Sequence, residues 1–220
     1  MSSSTTTGQS QPRQTRRRIA TRERLLEAAR ELLAESGMQA ATVERITERA
    51  GFTRGAFYSN YATMDDLILD MFRRERDIML DRAARAIDSE LHDGSGEDDA
   101  TALMRGIDHF FAAQPTDRNW FLVHHEFISH SVRQRDIADV YEELWTQTHK
   151  ELSGLIDRAI TTLGRRLTMP VEHVTSLVMA IFEESMRQAF VSNTTEEFDP
   201  TTLRSLLATL LLALSEPAGT

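Results

Sequence analysis

An all-α chain is predicted, with a small helical head at the N-terminus and a larger helical body after it. Three observations carry this. Apolar residues recur at helical spacing along most of the 220 residues, and no stretch shows strand-like alternation. The segment 42–67, TVERITERAGFTRGAFYSNYATMDDL, reads as two short capped helices around a tight turn. The last two apolar stretches carry more than one stripe each, whereas a helix wetted on one side needs only one.

Residues 1–14 are rich in Ser, Thr and Gln and are predicted disordered. Arg16, Arg17 and Arg18 follow, just ahead of a helix over 22–36 that Gly37 stops. These arginines read equally well as an arm entering a DNA minor groove or as a solvated tail. Thr42 caps a helix over 43–50, with Val43, Ile46 and Ala50 on one face. Gly51 stops it, since glycine takes a left-handed conformation without a Cβ clash. Phe52 plugs the turn, and Thr53 caps a second helix over 54–61. Phe57 and Tyr61, four apart, face inward and leave Arg54, Gly55, Ala56, Tyr58, Ser59 and Asn60 outside. Gly55 costs roughly 1 kcal/mol against alanine in a helix, so its use suggests close approach of a DNA backbone.

That combination suits a DNA-reading helix-turn-helix, with one helix bracing and one entering the major groove. Arg54 can fork onto guanine O6 and N7. Ser59 and Asn60 can bond a base or a phosphate, and Tyr58 a phosphate or a thymine methyl. Thr42 and Thr53 set helix N-termini where exposed N–H groups attract phosphate.

At these residues the chain resembles the TetR family of bacterial regulators (TetR/AcrR-type). The matching positions are Thr42, Val43, Ala50, Gly51, Thr53, Gly55, Tyr58, Tyr61, Asp65 and Leu67. Asn60 stands where the family has His, and Met64 stands where it has a phosphate-touching Lys. The resemblance implies a basic arm over 1–15, a helix-turn-helix DNA-binding domain over 16–63 and a ligand-binding and dimerisation domain over 64–220. It adds Tyr61 to the DNA-facing set of Thr42, Thr53, Arg54, Gly55, Ala56, Tyr58, Ser59, Asn60 and Arg16 to Arg18. It also implies a homodimer made by the last two helices and a small-molecule effector that moves the connecting helix.

Helices are expected in the body over 64–91, 100–113, 119–133, 135–166, 170–192 and 201–215, with a flexible break at 92–99. In the last two, Val174, Val178, Ile181, Leu203, Leu207, Leu210 and Leu214 are expected at a dimer interface or in a buried pair within one chain. Polar residues that interrupt apolar stripes mark a candidate pocket: His124, Thr148, His149, Glu184 and Ser185, with the aromatic residues Phe110, Trp120, Phe127, Trp145 and Phe182. Each has an alternative reading as an ordinary core or rim residue.

Charge divides along the chain. The net charge is −9, but residues 1–61 hold ten arginines against six acids, a balance of +4 that leaves −13 for the remainder. A basic end on an acidic body suits a protein that meets phosphate at one end. Lys150 is the single lysine. The absence of cysteine excludes disulfides, thiol catalysis and cysteine-ligated zinc. His124, His125 and Glu126 are adjacent on a helix and point apart, and His124 and His130 are out of register, so no metal is expected. No cofactor is expected either. The N-terminus lacks the apolar core of a secretory signal and the longest apolar run, 206–214, is too short to span a bilayer, which suggests a cytoplasmic protein.

The expectation is therefore a homodimeric regulator, a repressor released from a palindromic double-stranded operator by a small apolar effector. A ligand-independent architectural DNA-binding protein is the alternative. A helical enzyme is a further one, although no phosphate loop, nucleophile elbow or paired-carboxylate motif is present, and Glu183 and Glu184 are adjacent rather than facing.

Overall fold

A computed structural model describes residues 11–90, 98–111, 118–192 and 199–218. In chain order the helices are α1 (Gln11–Ala40), α2 (Val43–Ala50), α3 (Arg54–Tyr58), α4 (Met64–Glu90), α5 (Asp99–Phe111), α6 (Arg118–Arg133), α7 (Arg135–Thr162), α8 (Val171–Arg187) and α9 (Thr201–Ala213). A π-helical turn, Gln188–Ser192, prolongs α8. Two three-residue strands, β1 (Arg165–Leu167) and β2 (Ser215–Pro217), pair antiparallel. The all-α expectation holds apart from this ribbon.

The chain divides into two compact units, Met1–Met71 with Leu122–His130, and Phe72–Phe121 with Ser131–Thr220. The first therefore takes in the start of α4 and a stretch of α6, which the expected division at residue 64 assigned to the body.

In the first unit, Leu25, Ala29, Leu32 and Leu33 form the buried stripe of α1. Ile46, Ala50, Phe57, Leu67, Ile68, Val123 and Phe127 are among the other buried residues of this unit. Gly37 breaks α1 with φ 72° and ψ 177°. Just beyond the break the Met38 N–H donates to Glu126 Oε2 at 3.2 Å. Helix α1 begins at Gln11, so Arg16, Arg17 and Arg18 lie exposed on a helix rather than on an extended arm. Their propensity favours this, since arginine loses little rotamer freedom in a helix. The tail expected to be disordered lies outside the described residues as far as residue 10, and most of the 92–99 break does so too.

In the second unit, Asp98 starts α5 by accepting from the Ala100 and Thr101 N–H groups at 3.0 and 3.1 Å. Asp199 does the same for α9 through the Thr201 N–H at 2.9 Å. Met186, Ala189, Phe190, Leu203 and Leu207 form one core, with Ile107, Phe110, Phe121 and Phe182 packed against it. Leu103, Ile160, Val174, Ala208 and Leu211 form a second. Between α7 and α8 the hydroxyls of Ser153 and Thr175 meet at 2.8 Å.

The ribbon shortens α7, which was expected to continue to residue 166. Gly164, at φ 68°, turns the chain out of the helix. Arg165 then ties the ribbon down. Its guanidinium donates to Ser215 Oγ at 2.9 Å and to the Ser215 carbonyl at 2.8 Å, and it pairs with Asp99 at 3.0 Å. Three residues are too few to show an alternation, which is why the pattern of the sequence concealed the pairing. Arg165→Ala is expected to cost about 1.5–3 kcal/mol through the lost charged hydrogen bonds. A lowered urea midpoint checks this, and an unchanged midpoint contradicts it.

Candidate nucleic-acid interface

The geometry begins with the two caps. Thr42 Oγ1 accepts from the Arg45 N–H at 3.3 Å, and Thr53 Oγ1 from the Ala56 N–H at 3.4 Å. Between them Gly51 sits in the left-handed region at φ 70°, ψ 36°. Its N–H bonds the Glu48 carbonyl at 3.1 Å and the Phe52 N–H bonds that of Thr47 at 2.8 Å, closing α2 and starting the turn. Phe52 lies half-buried under the Arg24 guanidinium, 4.8 Å from its ring centre.

Helix α3 is only five residues long, shorter than the 54–61 expected. Its end is closed by side chains. Ser59 Oγ and Asn60 Nδ2 both donate to the Ala56 carbonyl, at 2.9 and 2.8 Å, a bond that competes with continuation of the helix. Asn60 Oδ1 in turn accepts from Arg18 Nε at 3.4 Å, which brings Arg18 beside the end of α3.

Phe57 is fully buried, whereas Tyr58 next to it is 52% exposed. Arg54 and Gly55 are exposed and Ala56 half-buried, so α3 presents Arg54, Gly55 and Tyr58 outward. A Cβ added to Gly55 would meet only Thr53 Oγ1, at an ordinary 3.7 Å. No packing among the described residues therefore demands glycine there.

Tyr61 is a correction. It is 5% exposed, and its hydroxyl donates to Asp70 Oδ2 at 2.6 Å. Arg22 Nη2 pairs with the same carboxylate oxygen at 2.7 Å, and the guanidinium lies 5.3 Å from the Tyr61 ring centre. Burial first, then Asp70, pushes the Tyr61 hydroxyl well above the ordinary phenol range. The four-residue spacing from Phe57 places it in the core, so its match to the family pattern reflects packing rather than DNA contact.

The basic charge of the head is largely committed. Arg49 forks onto Glu35 at 2.8 and 2.7 Å, and Arg45 donates to the Ala40 carbonyl at 2.6 Å. Arg54 pairs with Glu44 at 2.8 Å on the solvent side and lies 6.0 Å from the Tyr58 ring centre. Tyr58 and then Glu44 hold its guanidinium charged. Met64 opens α4, where Thr63 and Asp66 form a reciprocal cap. The Thr63 N–H donates to Asp66 Oδ2 at 2.9 Å and the Asp66 N–H to Thr63 Oγ1 at 3.1 Å. Its neighbour Asp65 pairs with His130 Nε2 at 3.2 Å.

The candidate pocket residues divide between the two units. In the first, Phe127 is fully buried and His124 is half-buried. Burial, then His125, pulls the His124 imidazole down to about 4. In the second, Phe72 lies 5.1 Å from Trp120 and 6.4 Å from Tyr141, which stacks on Trp145 at 6.4 Å. Phe72 and Tyr141 were visible only as members of apolar stripes, and they complete this aromatic chain. Thr148 Oγ1 and Ser185 Oγ donate to their own helices, to the Leu144 and Ile181 carbonyls. His149 Nε2 meets Ser176 Oγ at 3.0 Å. Glu184 is exposed and tied to Arg187 and Gln188. Two open concavities of about 410 and 370 Å³ lie along α7, and of the expected set only His149 lines either.

His124 generates a pH dependence. Its imidazole binds a proton in the unfolded chain near the usual 6.5 but in the fold only near 4. Stability is therefore expected to fall as pH drops from about 6.5 to about 4, on the order of 2 kcal/mol from this residue. Urea titrations of wild type and His124→Leu across that range check it; equal pH slopes for the two would contradict it.

Residues 25–71 match the model of the bacterial regulatory proteins, tetR family. The HTH-type transcriptional repressor AcnR of Corynebacterium glutamicum is 27% identical over 175 residues, 78% of this chain and 80% of that protein. The protein of the same name from Corynebacterium efficiens is 27% identical over 182 residues, 79% of this chain and 81% of that one. Among solved structures, the regulator FadR of Bacillus subtilis in complex with stearoyl-CoA superposes with a TM-score of 0.67 at 18% identity, covering 87% of this chain and 97% of that one. A regulator from Saccharomonospora viridis in complex with choline gives 0.63 at 16% identity, covering 87% and 95%. At such identities these structures attest the fold alone. Family model, curated relatives and helical architecture point the same way: the chain is similar to the bacterial regulatory proteins of the tetR family, most directly over residues 25–71, where α2 and α3 form the helix-turn-helix.

Proposed function

We propose that the chain is a homodimeric repressor that leaves a palindromic operator when a small apolar effector binds its body. The observation that carries this is α3: a buried Phe57 anchors it while Arg54, Gly55 and Tyr58 face solvent beside two threonine-capped helix starts. The repressor reading draws support from the name borne by the Corynebacterium relatives. The effector reading draws support from the aromatic chain through Trp120, Phe72, Tyr141 and Trp145, and from structural neighbours holding stearoyl-CoA and choline. An effector acts here through its preference for the state that does not fit the DNA. A cytoplasmic location belongs to the same proposal. No helix among the described residues is long and apolar enough to cross a membrane.

The dimer face is revised. Val174, Leu203 and Leu207 are at most 6% exposed within the single chain, because they fill its own two cores. The large apolar residues left open on α8 and α9 are Leu177, 42% exposed, and Leu206, 49% exposed. With the half-buried Val178, Ile181, Leu210 and Leu214, these form the proposed contact with a second copy.

Selection of bound duplexes from a random pool tests the whole reading: enrichment of a palindrome supports it, and recovery of no motif at low salt contradicts it. Arg54→Ala is expected to lose about 1–3 kcal/mol on the selected site and to relax one base position per half-site. An equal loss on random DNA would make Arg54 a phosphate contact only. Leu177→Asp combined with Leu206→Asp is expected to halve the mass measured by light scattering; an unchanged mass would place the interface elsewhere.

A further inference from the structure

We infer that Glu44 and Arg54 form a composite reader of one G·C base pair, with Arg54 on the guanine and Glu44 taking the cytosine amino group. This rests on the DNA-binding reading above and adds a specificity-determining residue on α2, outside the recognition helix.

Glu44 is the second residue of α2 and Arg54 the first of α3, so the turn between the helices brings them together. Glu44 Oε1 and Arg54 Nη1 are 2.8 Å apart, and the two side chains are 57% and 61% exposed. The buried residues of α2 are Ile46, Thr47 and Ala50, so Glu44 stands on the solvent side of the bracing helix, next to the outward residues of α3.

The chemistry of that pair matches one base pair. The major-groove edge of G·C presents two acceptors, guanine N7 and O6, followed by a donor, the cytosine N4 amino group. A guanidinium beside a carboxylate presents two donors followed by an acceptor. One Nη1 hydrogen serves Glu44, and the other N–H groups of the fork stay available for N7 and O6. A carboxylate oxygen has more than one lone pair, so Glu44 can hold Arg54 and accept from N4 together. An A·T edge runs acceptor, donor, acceptor and does not fit this order.

The electrostatics agree with such a role. In water an exposed ion pair contributes about 0–1 kcal/mol, too little to justify a carboxylate on a surface meant for phosphate. Within a groove that excludes water the same pair strengthens, and it fixes the direction of the Arg54 fork.

The test uses the full chain and its Glu44→Ala and Glu44→Gln variants. Each is put through the random-pool selection and then measured on the wild-type site with pyrimidin-2-one, which lacks the N4 amino group, in place of the cytosine. Both variants are expected to relax the same base pair that Arg54→Ala relaxes. Wild type is expected to lose about tenfold on the pyrimidin-2-one duplex, while Glu44→Ala loses nothing further. A variant whose affinity shifts equally on every sequence, or whose motif is unchanged, overturns the inference and leaves Glu44 as a neutraliser of Arg54. A wild-type selection without any motif overturns the DNA-binding reading itself, and the inference with it.

Discussion

A recognition helix of five residues cannot hold its own shape, because helix nucleation is costly and one turn recovers few hydrogen bonds. Helix α3 is held by what lies beneath it. Phe57 is fully buried, Tyr61 packs 5.8 Å from it, and the Tyr61 hydroxyl shares Asp70 with Arg22. That network joins α1, the end of the α3 turn and α4. The direction in which Arg54 and Tyr58 point is thus set by a buried phenol and the carboxylate that holds it.

The same constraint explains how the head spends its charge. A balance of +4 over residues 1–61 suggests a phosphate-facing surface, yet Arg22, Arg45 and Arg49 are engaged with Asp70, the Ala40 carbonyl and Glu35. These arginines brace α1 against α2 and α4. Arg16 to Arg18, Arg24 and Arg54 are exposed as well, with Arg24 over the Phe52 ring and Arg54 paired with Glu44, and Arg18 reaches Asn60 at the end of α3.

In the body, the apolar residues of the extra stripes of α8 and α9 divide into two groups. Most of the residues fill two cores within the chain, around Leu203 and Leu207 and around Val174 and Leu211. Leu177 and Leu206 are left over, one on each helix. A pattern of spacing cannot separate these groups, because both lie on helix faces broad enough to be apolar all round.

The sequence by itself determined the helical class, the stop at Gly37, both threonine caps and the turn at Gly51. Each depends on the conformational preferences or hydrogen-bonding reach of residues within four positions of one another. Only the tertiary structure decided what depends on partners far along the chain. It turned Tyr61 toward Asp70, paired Arg165 with Asp99 and Ser215, buried Val174 and Leu203, and left Glu184 in solvent. It also set Glu44 beside Arg54 across a turn whose local signals concern only its backbone. Spacing along a helix tells which residues share a face, but which face is covered, and by what, is settled by the helices packed against it.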